Sequence, residues 1–138
     1  MQNIPDELLD AYAEDLSIAE CSYEMMGQLL DQDYLKERLK SLDTNELYIY
    51  GGGYLGIQFY RACEKLVKIL SIVDKQGCLR LNIADIPVID LEGLKKSYKG
   101  ENIIITPIRY YREIQQNLLS FVPKTKILFL GEFLGGIL

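Results

Sequence analysis

The sequence predicts an α/β domain built on a doubly wound, mostly parallel sheet of about five strands, preceded by a helical segment. Two observations carry this expectation. From Asn45 onward, short and uniformly apolar runs alternate with helical patterns, and a glycine-rich turn joins the first run to the first of those helices. Strands that are apolar at every position are buried on both faces, and strand and helix in alternation imply parallel pairing through right-handed crossovers.

The first segment, from Pro5 to about Leu42, places Leu8, Leu9, Tyr12 and Leu16, then Met26, Leu29 and Leu30, at helical spacing with acidic residues between them. Two helices are expected, with a break near Ser22 or Gly27. Pro5 followed by Asp6 and Glu7 suits a helix start, because proline there forfeits no hydrogen bond and acids complement the positive end of the dipole. Residues 1–44 are therefore read as a helical segment, acting as a cap over the sheet or as a dimerisation element. Residues 45–138 form the sheet domain.

Within that domain Leu47 to Tyr50 (LYIY) is the first strand, followed by a helix to about Val67. Ile69 to Val73 and Ile86 to Ile89 are the next strands, and Leu91 to Tyr98 a helix. Asn102 to Ile105 is a fourth strand, Tyr110 to Phe121 a helix, and Lys126 to Leu130 the last strand. In the helix after the fourth strand, Tyr110, Ile114 and Leu118 are expected to face the core while Arg109 and Arg112 stay in solvent, the alternative being that Tyr110 and Tyr111 with these arginines contact a sugar or phosphate.

Composition narrows the function. The net charge is −5 and there is no histidine. An acidic chain without clustered Lys and Arg is a poor partner for nucleic acid, whereas a single mononucleotide needs only a few N–H groups at a helix start. Cys21, Cys63 and Cys78 are odd in number and lack metal-binding spacing, so reduced thiols are expected, with Cys63 a small core residue. The acidic start does not resemble a signal peptide and no run is long enough to span a bilayer, so a cytoplasmic protein is expected.

The segment Gly51-Gly52-Gly53-Tyr54-Leu55-Gly56 contains GxGxxG between a strand and a helix. Gly51 allows the tight turn, Gly53 lets the backbone approach a phosphate, and Gly56 lets the helix pack on the sheet. Asp74 ends the next strand, near the offset of an acid that accepts hydrogen bonds from ribose hydroxyls. This makes the domain Rossmann-like, with Gly51 to Gly56 and Asp74 as candidate nucleotide contacts. Lys75 joins them, its plainer reading being a solvated side chain. The plain alternative for the whole loop is a sharp turn, with Asp74 capping a strand end. A P-loop is excluded, because Ile57 and Gln58 stand where Lys and Ser or Thr are required. Tyr50 stands where many methyltransferases end the first strand with an acid, which demotes S-adenosylmethionine.

Taken in order, IYGGGYLG, SIVD, IPVID with LEGL, and NIIIT resemble the small Rossmann-like domain at the N-terminus of bacterial nucleotide-sugar acetyltransferases and the accessory domain of sugar C-methyltransferases. The resemblance covers roughly Leu47 to Leu130. It implies a nucleotide or nucleotide-sugar near Gly51, Gly53, Tyr54 and Asp74, with Thr106 and Pro107 facing the same crevice. No hexapeptide-repeat acetyltransferase module follows, and Tyr54 stands where the family often has a small residue or histidine.

Chemistry by this chain alone is not expected. Without histidine, Ser-His-Asp and Cys-His machinery are excluded, and no Tyr has Lys four residues on, as sugar epimerases and short-chain dehydrogenases require. Tyr34 has Arg38 instead, read as a surface cation–π contact. The expected function is a nucleotide or nucleotide-sugar binding module of a bacterial system that modifies surface polysaccharide, possessing no complete active site. The alternatives are an NAD-dependent oxidoreductase subunit completed by a catalytic partner chain, and an interaction domain that has lost its ligand.

Overall fold

A computed structural model describes residues 5–42, 45–74 and 86–135. Their elements run in the order helix α1 (Asp6–Leu30), α2 (Gln32–Lys40), strand β1 (Glu46–Tyr50), α3 (Tyr54–Cys63), β2 (Lys68–Val73), β3 (Val88–Ile89), α4 (Leu91–Ser97), β4 (Asn102–Ile105), α5 (Tyr111–Leu118), β5 (Ile127–Phe129) and α6 (Leu130–Phe133). The five strands form one sheet in the order β3-β2-β1-β4-β5, and every pairing is parallel. The doubly wound fold expected from the sequence is thus the observed one. Among the described residues no helix is long and apolar enough to cross a membrane.

The alternation of side chains along the strands divides the core in two. Leu47 and Ile49 of β1, Ile72 of β2 and Ile104 of β4 meet Phe59, Tyr60 and Cys63 of α3 on one face, together with Leu130 and Phe133 of α6. Tyr48, Tyr50, Val73, Ile103 and Ile105 meet Leu94 of α4 and Ile114 and Leu118 of α5 on the other. The central strands β1 and β4 are buried along almost their whole length, which is why their sequences carry no polar alternation.

The N-terminal helices are divided in their allegiance. Met25 and Leu29 of α1 and Leu35 and Leu39 of α2 join the first core, so the end of α1 and all of α2 cap the α3 face of the sheet. The helix break lies at Asp31 rather than at Ser22 or Gly27, because the Asp31 carboxylate accepts the Tyr34 N–H at 3.0 Å and starts α2. Tyr34 and Arg38 do not form the expected surface pair. The Tyr34 hydroxyl donates to the Leu134 carbonyl and Arg38 Nε to the Phe133 carbonyl at 2.7 Å, so α2 satisfies the open end of α6.

Two further expectations are corrected. The helix after β4 begins at Tyr111, so Tyr110 precedes it and stays 57% exposed, while Tyr111 stacks on Phe129 with ring centroids 4.4 Å apart. The last strand also ends at Phe129 rather than Leu130, because the chain turns into α6 at once after β5. Cys63 is fully buried and burial pushes its thiol up to about 12, in keeping with a core residue.

Candidate functional site

The sheet reverses its winding between β1 and β4. β1 leads through α3 to β2 on one side, and β4 leads through α5 to β5 on the other, so the carboxyl ends of β1 and β4 lie side by side at the topological switch point, the place where open α/β sheets receive ligands. Tyr50-Gly51 and Ile105-Thr106 leave the two strands there. The structure brings all of the glycine loop, Thr106 and Pro107 to this place, with Asp74 at the neighbouring end of β2. Lys75 lies outside the described residues.

The three spaced glycines have different surroundings. Gly51 has φ +119°, a left-handed conformation, and a Cβ there would meet Thr106 Oγ1 at 2.5 Å and the Pro107 ring at 2.7 Å. At Gly56 a Cβ would lie 1.8 Å from the Gly51 carbonyl oxygen, so the first turn of α3 rests directly on the loop backbone. Gly53 differs from both. Its φ of −81° is open to any residue, nothing lies within 4 Å of the position its Cβ would take, and it is exposed at the N-cap of α3 without a side-chain cap. Two glycines are thus consumed by packing, and the third leaves bare backbone facing solvent.

Hydrogen bonds fix the loop from three strands. Gly51 donates its N–H to the Val73 carbonyl at 2.7 Å and Gly52 donates its own to Asp74 Oδ2 at 3.1 Å. The Thr106 N–H donates to the Tyr50 carbonyl at 3.0 Å, while its buried hydroxyl reaches the Tyr50 and Gly51 carbonyls at 3.1 and 3.4 Å. Within α3 the first intrahelical bond is Ile57 N–H to the Gly53 carbonyl. The N–H groups of Gly53, Tyr54, Leu55 and Gly56 precede it, which makes this end of the helix the donor-rich, positive end. Thr106→Val keeps the volume and the backbone bond but removes the hydroxyl, and urea unfolding should show a loss of about 1 kcal/mol. An unchanged midpoint would mean that the hydroxyl does not hold the loop.

Among the described residues, Tyr50, Tyr54, Asp74 and Arg109 stand near this end of the sheet. Burial, followed by the negative charges of Asp74 and Glu113, raises the Tyr50 hydroxyl above its ordinary range, so Tyr50 is a neutral phenol at physiological pH and no base. Tyr54 stands out from α3 and is 77% exposed. Arg109, three residues beyond Thr106, is not simply solvated as the sequence suggested. It pairs with Asp15 and, at 3.4 Å, with Glu14 of α1, and the hydrogen bond to Asp15, then the charge of Glu14, hold the guanidinium more firmly protonated. The middle of α1 is thereby tied to the carboxyl edge of the sheet, a contact across 94 positions that no local signal announces.

No protein-family model matches the chain, and no curated protein matches it in sequence.

Proposed function

We propose that this chain binds a nucleotide or nucleotide-sugar, with a phosphate lying over Gly53 and the first turn of α3. The observation that carries the reading is the contrast among the glycines: Gly51 and Gly56 are required by the turn and by helix packing, whereas Gly53 has open space before it and an uncapped helix terminus behind it. With negative φ and no steric neighbour, only the mild preference for glycine at a helix N-cap gives the fold a reason to omit a side chain here. A phosphate at hydrogen-bond distance from the backbone gives a stronger one.

The chain's own residues hold and orient. Donors of the α3 N-terminus face the phosphate, Thr106 and Pro107 fix the opposite wall, and Asp74 stands beside the loop with one carboxylate oxygen on the Gly52 N–H. With no histidine in the sequence, catalysis is not assigned to this chain. The reading is a binding module of a bacterial sugar-modifying system, in agreement with the resemblance of its strands and glycine loop to the small domains of nucleotide-sugar enzymes, and any chemistry comes from a catalytic partner chain.

A second reading, an NAD-binding subunit of an oxidoreductase, is favoured by the placement of Asp74. Its hydrogen bond to Gly52 turns the carboxylate toward the loop, the side on which an adenosine ribose lies in dinucleotide sites. Calorimetric titration with NAD, NADP and UDP-glucose separates the two. Under either reading Asp74 repels a 2′-phosphate, so NADP should bind more weakly than NAD. Equal or tighter binding of NADP removes Asp74 from the ribose role, and binding of UDP-glucose alone removes the dinucleotide.

A further inference from the structure

Helix α1 carries two apolar faces, and the domain uses one of them. Met25 and Leu29 are buried and Ile18, Cys21 and Ser22 half-buried on the side turned toward α3. Far around the helix from them, Leu9, Leu16, Tyr23 and Leu30 recur every seven residues, with Tyr12, Ala19 and Met26 three places after each of the first three. That is the spacing of a coiled-coil seam over the length of the helix. All but Met26 of these residues are exposed, Tyr12 by 71%, Tyr23 by 83% and Leu30 by 85%. At 1.5 Å per residue the stripe from Leu9 to Leu30 is roughly 32 Å long.

We infer that this seam is the interface of a homodimer in which the α1 helices of two copies pair antiparallel. The charges select the orientation. Between Asp6 and Leu30 the helix has seven acids and no Lys or Arg. A parallel pair would set Asp15 of one copy against Glu20 of the other, twice by symmetry, and would bring Asp6, Glu7 and Asp10 of both copies together. An antiparallel pair seats Leu9 against Met26 of the second copy, Leu16 against Ala19 and Tyr23 against Tyr12. The flanking pairs are then Asp15 with Ser22 and Ala13 with Glu20, with no like charges opposed. The large Leu16 facing the small Ala19 is the alternation that interdigitating helices need. Such a contact is isologous and closes at two copies. This inference stands apart from the ligand site.

Light scattering of the full chain should give the mass of two chains, and Leu16→Glu, which alters an exposed position, should give one chain that keeps the native helical circular dichroism and melts at a lower temperature, because the stabilisation from association is gone. Orientation is read by disulfide trapping in a Cys21→Ser, Cys78→Ser background. Leu9→Cys and Met26→Cys proteins, mixed and oxidised, should form the mixed pair, and Leu9→Cys alone should not crosslink, because antiparallel helices hold its two copies roughly 25 Å apart. A monomeric native protein overturns the inference and leaves the stripe to a different partner. So does a dimer that survives Leu16→Glu, and so does efficient crosslinking of Leu9→Cys to itself, which requires parallel helices.

Discussion

Gly56→Ala should cost the domain about 3 kcal/mol or more, the largest effect expected of any single methyl group added to this loop. The added Cβ would stand 1.8 Å from the Gly51 carbonyl oxygen and 2.9 Å from its carbon, both backbone atoms that no rotamer change can move. Relief requires either that α3 lift from the sheet or that the Gly51 peptide rotate. Lifting α3 pulls Ile57, Phe59 and Tyr60 out of the core, and rotating Gly51 disturbs the residue whose N–H is bound to Val73 and whose carbonyl receives the Thr106 hydroxyl. Alanine is the better helix former by about 1 kcal/mol, which opposes the effect without matching it. Chemical denaturation measures the difference, and a variant as stable as the native chain would show that α3 does not rest on the loop.

The strands were legible in the sequence because their burial on both faces leaves a simple trace. LYIY and NIII are occupied by residues that suit a strand only when water is excluded from both sides, and β1 and β4 lie within one residue of the expected bounds. Gly51 and Gly56 were legible too, since a turn and a close helix approach each demand glycine and the motif spacing separates them. Gly53 lies exposed at the start of α3 with a negative φ, which could not be foreseen because glycine hides its own conformation.

What could not be read depended on partners far along the chain. The break between α1 and α2 went to Asp31, whose capping bond outweighs the cost of about 1 kcal/mol for leaving Gly27 inside a helix. In α5 Ile114 and Leu118 face the core as expected, but the helix starts one residue later, so Tyr111 stacks on Phe129 and Tyr110 is left exposed. Helix α6 merges into the apolar run of β5 without a change of period. Arg109 meets Glu14 and Asp15 only through tertiary structure. The seven-residue repeat of α1 was masked by its other apolar face, since a helix with two stripes shows no clean moment.

Gly53→Val carries the second large effect, and it falls on binding. At φ −81° and ψ −165° valine is sterically at ease, and its Cβ enters space with no protein atom within 4 Å. Loss of glycine from an N-cap position should cost no more than about 1 kcal/mol of stability. A phosphate over the loop would be displaced from one or two N–H donors, each such charge-assisted bond contributing about 1.5–3 kcal/mol, so affinity should fall by about ten- to a hundredfold or more. Gly53→Ala, with a smaller intrusion, should lie between the native protein and the valine variant.

The decisive measurement is therefore a paired one on native protein and Gly53→Val, with calorimetric titration of NAD and UDP-glucose set beside a thermal melt of each sample. A phosphate held at the start of α3 predicts that at least one of the two ligands binds the native chain, that the valine variant loses that binding, and that the two melts nearly coincide. Equal affinity in both proteins would place the phosphate elsewhere and reduce the glycine loop to a turn, and absence of binding of either ligand to the native chain would contradict the nucleotide site itself.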